Sequence, residues 1–303
     1  MNFLWVLKGL RTPLFDVIFD FVTRLGEETV AMVILCVVFW CMNKRTAYVI
    51  SIAFILSGLA VQGMKIGFRI ERPWVIDPMF TPVLSAVGQA TGYSFPSGHT
   101  QAAVAVYGSI GATARKRPIK AACFLVAALV AFSRIYLGVH TLLDVAVSCV
   151  ISILFVWLVI IILPGEPAGK AHELCYALFV VLGAGTLIAV ASTLYGSGKI
   201  EFAYLADCFK AAGAAAGFAA GMYIERIYIN FTTKAKSIAS QIIKFSLGIS
   251  GVIVIKEGLR FLSGGWIYTS IGLTMDVLRY FLLFLWVTAF FPYIIKRIKW
   301  IDR

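Results

Sequence analysis

Long apolar runs, broken by short polar turns, repeat along this chain. They lie at roughly 27–43, 46–68, 99–114, 119–138, 141–163, 173–194, 202–223, 240–256 and 272–295. A helix needs about 20 apolar residues to cross the hydrocarbon of a bilayer. Most of these runs reach or approach that length; the first and third are short. Lipid offers backbone N–H and C=O groups no partner, so a spanning run must be helical. The pattern predicts an all-α fold, a polytopic transmembrane helical bundle of about nine spans. The opening stretch differs. "MNFLWVLKGLRTPLFDVIFDFVTRL" interrupts its apolar residues with Lys8, Arg11, Asp16 and Asp20, as an amphipathic helix lying in the membrane interface would; a first span is the alternative. Three parts follow: an interfacial helix over 1–26, a core bundle over 27–163, and additional transmembrane helices over 164–303 that carry no chemical motif.

Composition agrees. Of 303 residues, 60% are hydrophobic and 14% charged, against about 25% charged in soluble domains. A net charge of +12 raises nucleic acid as a partner, but the distribution of the charge argues for a bilayer instead. Lys44 and Arg45, then Arg115, Lys116, Arg117 and Lys120, then Lys170, then Arg226, Lys234 and Lys236, then Lys296, Arg297, Lys299 and Arg303 fall in every other loop. Basic loops stay in the cytoplasm. That places the 69–98 loop, the 134–140 turn and "YGSGK" outside, on a multi-pass protein of the cell membrane. The six cysteines, Cys36, Cys41, Cys123, Cys149, Cys175 and Cys208, all lie in apolar runs and read as small packing residues.

Three polar stretches break the pattern, and loop charge alone sends all of them to the outer face. They are "KIGFRIERP" from Lys65 to Pro73, "PSGH" from Pro96 to His99, and "SRIYLGVHTLLD" from Ser133 to Asp144. His140 and Asp144 are four apart, so on a helix they share one face. The carboxylate can then accept one imidazole N–H and leave the other nitrogen free as a nucleophile. Lys65, Arg69 and Arg72 share a face if their helix continues that far, with Pro73 ending it. Together with Arg134 they form a cationic pocket that needs an anion. In "PSGH", Gly98 can take φ > 0 and let successive backbone N–H groups converge on one oxyanion. Two histidines, one aspartate and several cations suit phosphoryl transfer with neither metal nor cofactor; no acidic or cysteine cluster offers metal ligands.

These residues carry a resemblance. Lys65-x6-Arg72-Pro73, Pro96-Ser97-Gly98-His99 and Ser133-Arg134-x5-His140-x3-Asp144 resemble the three signature motifs of the type 2 phosphatidic acid phosphatase superfamily, whose fold is shared with vanadium haloperoxidases. Order, residue type and spacing all match, over about residues 60–150. Ser148 departs slightly, since relatives often have glycine there. The resemblance implies His140 as the nucleophile forming a phosphohistidine, Asp144 orienting it, and His99 protonating the leaving oxygen and then activating water. It further implies Lys65, Arg72 and Arg134 as a phosphate clamp, with backbone donors around Ser97 and Gly98. Arg69 lies outside the signature, as an accessory phosphate contact or an exposed interfacial cation.

The resulting expectation is an integral-membrane phosphatase that hydrolyses a lipid phosphate monoester or diphosphate at the extracytoplasmic face. Undecaprenyl diphosphate, phosphatidic acid, phosphatidylglycerol phosphate and sphingoid phosphates fit the same headgroup logic. A phosphotransferase using the same intermediate, or a lipid-translocating or partner-binding protein with a vestigial core, are the alternatives. Elsewhere, Gly213, Gly217 and Gly221 make a close-packing face, inside the bundle or, as the minority reading, at a homodimer seam. Asp207 and Lys210 stand one turn apart as a pair. His172 sits in a short cytoplasmic loop without a catalytic role. "NFT" at Asn230 is a chance glycosylation pattern on the cytoplasmic side, and Trp266, Tyr268, Trp286 and Trp300 read as interfacial anchors or packing residues.

Overall fold

The computed structural model describes residues 1–266 and 269–298. It is 79% helical, with no strand among the described residues. Tyr268, Lys299, Trp300 and Arg303 lie outside them. Among the described residues, six helical stretches are long and apolar enough to span a membrane: Lys44–Ile76, Arg117–Tyr136, Leu142–Ile162, Lys170–Gly196, Ile238–Ser263 and Ser270–Arg297. Length and apolarity thus support six of the nine expected spans. The helical stretch over 98–113 is shorter than the ~20 residues a span needs. Phe202–Ile224 is long enough but rich in alanine and glycine, and it holds Asp207 and Lys210. Pro13–Arg24 and Glu28–Met42 qualify only jointly, as a pair bent by 51°.

The chain packs as two compact units that do not follow the sequence division. One comprises Met1–Ile34 and Ile52–Ile161, the other Leu35–Ser51 and Ile162–Arg303. In the first, helix α9 (Arg117–Tyr136) packs against α1 (Asn2–Gly9), α2 (Pro13–Arg24) and α7 (Gly98–Ala103). The opening segment is therefore two helices, not one. Pro13 supplies the first helical residue of α2, and Thr12 caps it by accepting from Phe15 N at 3.3 Å, a start signal that the apolar pattern had hidden. Leu4 and Leu7 of α1 pack with Phe80, Ala131, Ile135 and Val145. Phe19 of α2 lies 4.4 Å from the ring of Tyr136. Leu14, Phe15, Val17, Ile18 and Phe21 remain exposed on the opposite side.

In the second unit, α12 (Phe202–Ile224) packs closely on α14 (Ser270–Leu285). A Cβ at Gly213 would stand 2.5 Å from Val277 O; one at Gly217 would collide with Phe281 O, and one at Gly221 with Thr288 Oγ1. The glycine face thus packs within the chain, against Val277, Phe281 and Thr288. Gly217→Ala drives its methyl into backbone and should lower stability by about 2–3 kcal/mol, measured as a fall in melting temperature in detergent. Asp207 and Lys210 do pair, at 2.9 Å. Trp286 is a packing residue, its Nε1 donating to Gly248 O at 3.0 Å. Asn230 accepts from Lys44 Nζ at 2.8 Å, beside the 2.7 Å pair that Lys44 makes with the buried carboxylate of Glu225.

Candidate active site

The site lies in the first unit, at the junction of α9 with α10 (Leu142–Ile162). After Tyr136 the chain turns through Gly138, whose φ of +76° favours glycine. His140 then precedes α10 instead of riding on it. Thr141 N donates to Asp144 Oδ2 at 2.8 Å, and Asp144 N donates to Thr141 Oγ1 at 3.2 Å. This reciprocal cap sets the carboxylate, which also accepts from Ser94 Oγ at 2.6 Å. Asp144 Oδ2 stands 3.5 Å from His140 Nδ1, close enough to attract it electrostatically but without hydrogen-bond geometry. The two side chains are brought together, but the hydrogen bond expected between them is not formed, and no shared helix face brings them there.

Arg72 carries the most information about His140. Its Nη1 lies 3.0 Å from His140 Nε2. A guanidinium only donates, so Nε2 must present its lone pair and Nδ1 must hold the proton, toward Asp144. The rest of the Arg72 guanidinium is anchored: Nε donates to Gly92 O at 2.9 Å, Nη2 to Thr91 O at 2.7 Å and Nη1 to Val139 O at 2.9 Å. Lys65 Nζ donates to Tyr93 O at 2.6 Å. The 91–93 loop thereby gathers both cations.

Arg69 is not gathered with them. Helix α4 (Lys44–Phe68) ends one residue earlier, Arg69 adopts a left-handed φ of 51°, and its Nη1 turns back to Ile66 O at 3.3 Å. The helical face shared by Lys65, Arg69 and Arg72 is therefore lost. Pro73 does not end that helix but opens a short one, Pro73–Ile76. Gly98 also departs from expectation. It begins α7 without a positive φ, so the backbone donors there are first-turn amides of a helix, not a left-handed nest. Ser97 caps that helix, accepting from Thr100 N at 3.4 Å, and its own N–H reaches Asp144 O at 3.2 Å.

Arg134 is fully buried, and its Nη1 donates to Thr23 Oγ1 at 2.7 Å. Its Nε and Nη2, like His99 Nε2, are buried with no hydrogen-bond partner among the described residues. Buried polar atoms are seldom left so, and an oxyanion is the group that would satisfy the two guanidinium donors. Burial, reinforced by Arg72, Arg134, Lys65 and His99, pushes the His140 imidazole well below its usual pKa, so it is neutral at pH 7. Ser94 and Thr23 escaped the sequence reading because no local spacing marks them; Thr141-x-x-Asp144 was a legible capping box.

Residues 45–167 match the PAP2 superfamily, and residues 209–303 match the PAP2 superfamily phosphatase, transmembrane extension. The chain belongs to the PAP2 superfamily. Both matches sit on helices apolar enough for a membrane, so this PAP2 protein is a membrane protein of a phosphatase family, and the three motifs all fall within the first match. The crystal structure of Aquifex aeolicus LpxE is similar over 52% of this chain and 93% of its own, at 27% identity with a TM-score of 0.46. No curated protein matches.

Proposed function

We propose that this PAP2 protein hydrolyses a phosphate monoester or diphosphate on a membrane lipid, at the extracytoplasmic face, through a phosphohistidine on His140. The contact between Arg72 Nη1 and His140 Nε2 carries the reading, because it fixes a nucleophilic lone pair beside the cations that would hold the phosphate. As phosphate enters, Arg72 Nη1 turns its N–H from Nε2 to a phosphoryl oxygen; the freed lone pair attacks phosphorus as the bond to the lipid oxygen breaks, and His99 gives that oxygen its proton. A water then attacks phosphorus, His99 takes its proton, the N–P bond breaks and inorganic phosphate leaves. Asp144 stabilises the positive charge on His140 in between. Lys65, Arg72 and Arg134, with the amides near Ser97 and Gly98, neutralise the phosphoryl oxygens, and those three cations supply the charge a metal would otherwise bring. Burial, and then Arg134, Arg72 and Lys65, lower the His99 pKa to about 3; an entering phosphate offsets the three cations and so favours the protonated acid. Alternation of the basic loops supports the outward orientation.

The test is phosphate release by purified protein from phosphatidic acid, phosphatidylglycerol phosphate, sphingoid phosphate and undecaprenyl diphosphate, with and without chelator. Release from at least one lipid, unchanged by chelator, is expected. Activity abolished by chelator and restored by magnesium would overturn the metal-free mechanism. A cysteine at Pro82 in a cysteine-free background should react with an impermeant thiol reagent in intact cells; reaction only after lysis would reverse the orientation.

A further inference from the structure

We propose that Thr23, on the second N-terminal helix, is a positioning residue that aims Arg134 at the phosphate. The proposal rests on the reading of Arg134 as a phosphate clamp. Thr23 is 3% exposed, lies in the last turn of α2, and precedes the residues that match the superfamily. Its hydroxyl accepts from Arg134 Nη1 at 2.7 Å. Arg134 makes no ion pair among the described residues, so this is the contact that fixes its guanidinium. The two atoms left over, Nε and Nη2, form one edge of the fork. That edge binds an oxyanion with two parallel hydrogen bonds. The same protein shows the geometry elsewhere: Arg226 Nε and Nη2 grip Glu173 at 2.7 and 2.9 Å. Thr23 therefore occupies the opposite corner of Arg134 and leaves the bidentate edge for phosphate.

The chain is built to bring Thr23 this close. At Gly26, three residues on, a Cβ would stand 2.7 Å from Val130 Cγ1 and 2.8 Å from His99 O. Only a residue without a side chain lets the end of α2 descend between α9 and the backbone of His99. The N-terminal segment thus touches two residues of the proposed site, at Arg134 through a hydrogen bond and at His99 through close packing.

Thr23→Val keeps the shape and removes the acceptor; Thr23→Ser keeps the acceptor. Inorganic phosphate affinity is measured by thermal-shift titration of the detergent-purified full chain, and turnover is measured on phosphatidic acid. Thr23→Val should weaken phosphate binding and raise KM by about tenfold, with kcat changed by about threefold or less, while Thr23→Ser stays within about twofold of wild type. In an Arg134→Ala background, Thr23→Val should cause no further loss, because the hydroxyl acts through the guanidinium. Wild-type phosphate affinity in Thr23→Val, an equal loss in the Arg134→Ala background, or failure of serine to restore binding would overturn the proposal. Wild-type affinity in Arg134→Ala alone would instead overturn the clamp on which it rests.

Discussion

His140→Ala lowers turnover by about a millionfold, below detection, while the protein still folds. A lost nucleophile removes the pathway instead of slowing it, and triad enzymes lose about that factor when theirs is deleted. The fold survives because Asp144 keeps its bonds from Ser94 and Thr141 and Arg72 keeps its three carbonyl partners. Truncating a buried ring costs about 3 kcal/mol, visible as a lower melting temperature but not as unfolding. Quenching wild-type turnover of a radiolabelled phosphatidic acid should trap an acid-labile phosphoprotein that His140→Ala lacks. The same adduct in the variant would place the nucleophile on another residue.

Asp144→Asn should lower kcat by about 10³–10⁴, the scale seen when the carboxylate of a histidine dyad becomes an amide. An asparagine oxygen can still accept from Ser94 and Thr141, so the start of α10 persists. The charge that stabilises the imidazolium is gone. The amide can also donate to Nδ1, which moves the proton to Nε2, where it confronts an Arg72 donor. The pH profile separates this from misfolding. His140 has its pKa held well below the usual value by burial and then by the surrounding cations. Protonation would abolish the lone pair, so activity is lost as pH falls, but only at a pH well under the ordinary ~6.5 of imidazole. In the wild type, the loss of kcat/KM on acidification, corrected for the substrate's own ionisation near ~6, should therefore set in only below that value. In Asp144→Asn the limb should move lower still, since the imidazolium has lost its counter-charge. A wild-type limb at or above ~6.5 would mean that His140 is not the group that titrates.

The sequence made the candidate site legible because its three motifs are local patterns: Lys65 with Arg72, Ser97 to His99, and Arg134 to Asp144. It hid conformation wherever a short-range rule competed with the assumed helix. Arg69 breaks its helix by turning left-handed, and His140 meets Asp144 through a cap on Thr141 that outcompetes one more helical turn. Gly98 opens a helix whose start belongs to Ser97. Ser94 and Thr23 were unreadable for a different reason. Their partners lie 50 and 111 positions away, and nothing in their own neighbourhoods distinguishes them from any other small polar residue near a helix end. The span count outran helix length and apolarity at helices that are short or rich in small residues, where apolar runs and membrane-spanning length part company.

The segment over 35–51 determines how such a chain can be cut. Trp40, fully buried, donates to Val287 O at 2.9 Å across 247 positions of sequence, and Lys44 and Tyr48 both meet the buried carboxylate of Glu225. A chain stopped at 164 strips an indole of its acceptor and an ammonium of its counter-ion. A rear half expressed by itself leaves Glu225 buried without the ammonium of Lys44. The extension is therefore not a cassette that can be spliced on at one loop: a functional transplant has to carry two distant stretches of sequence together.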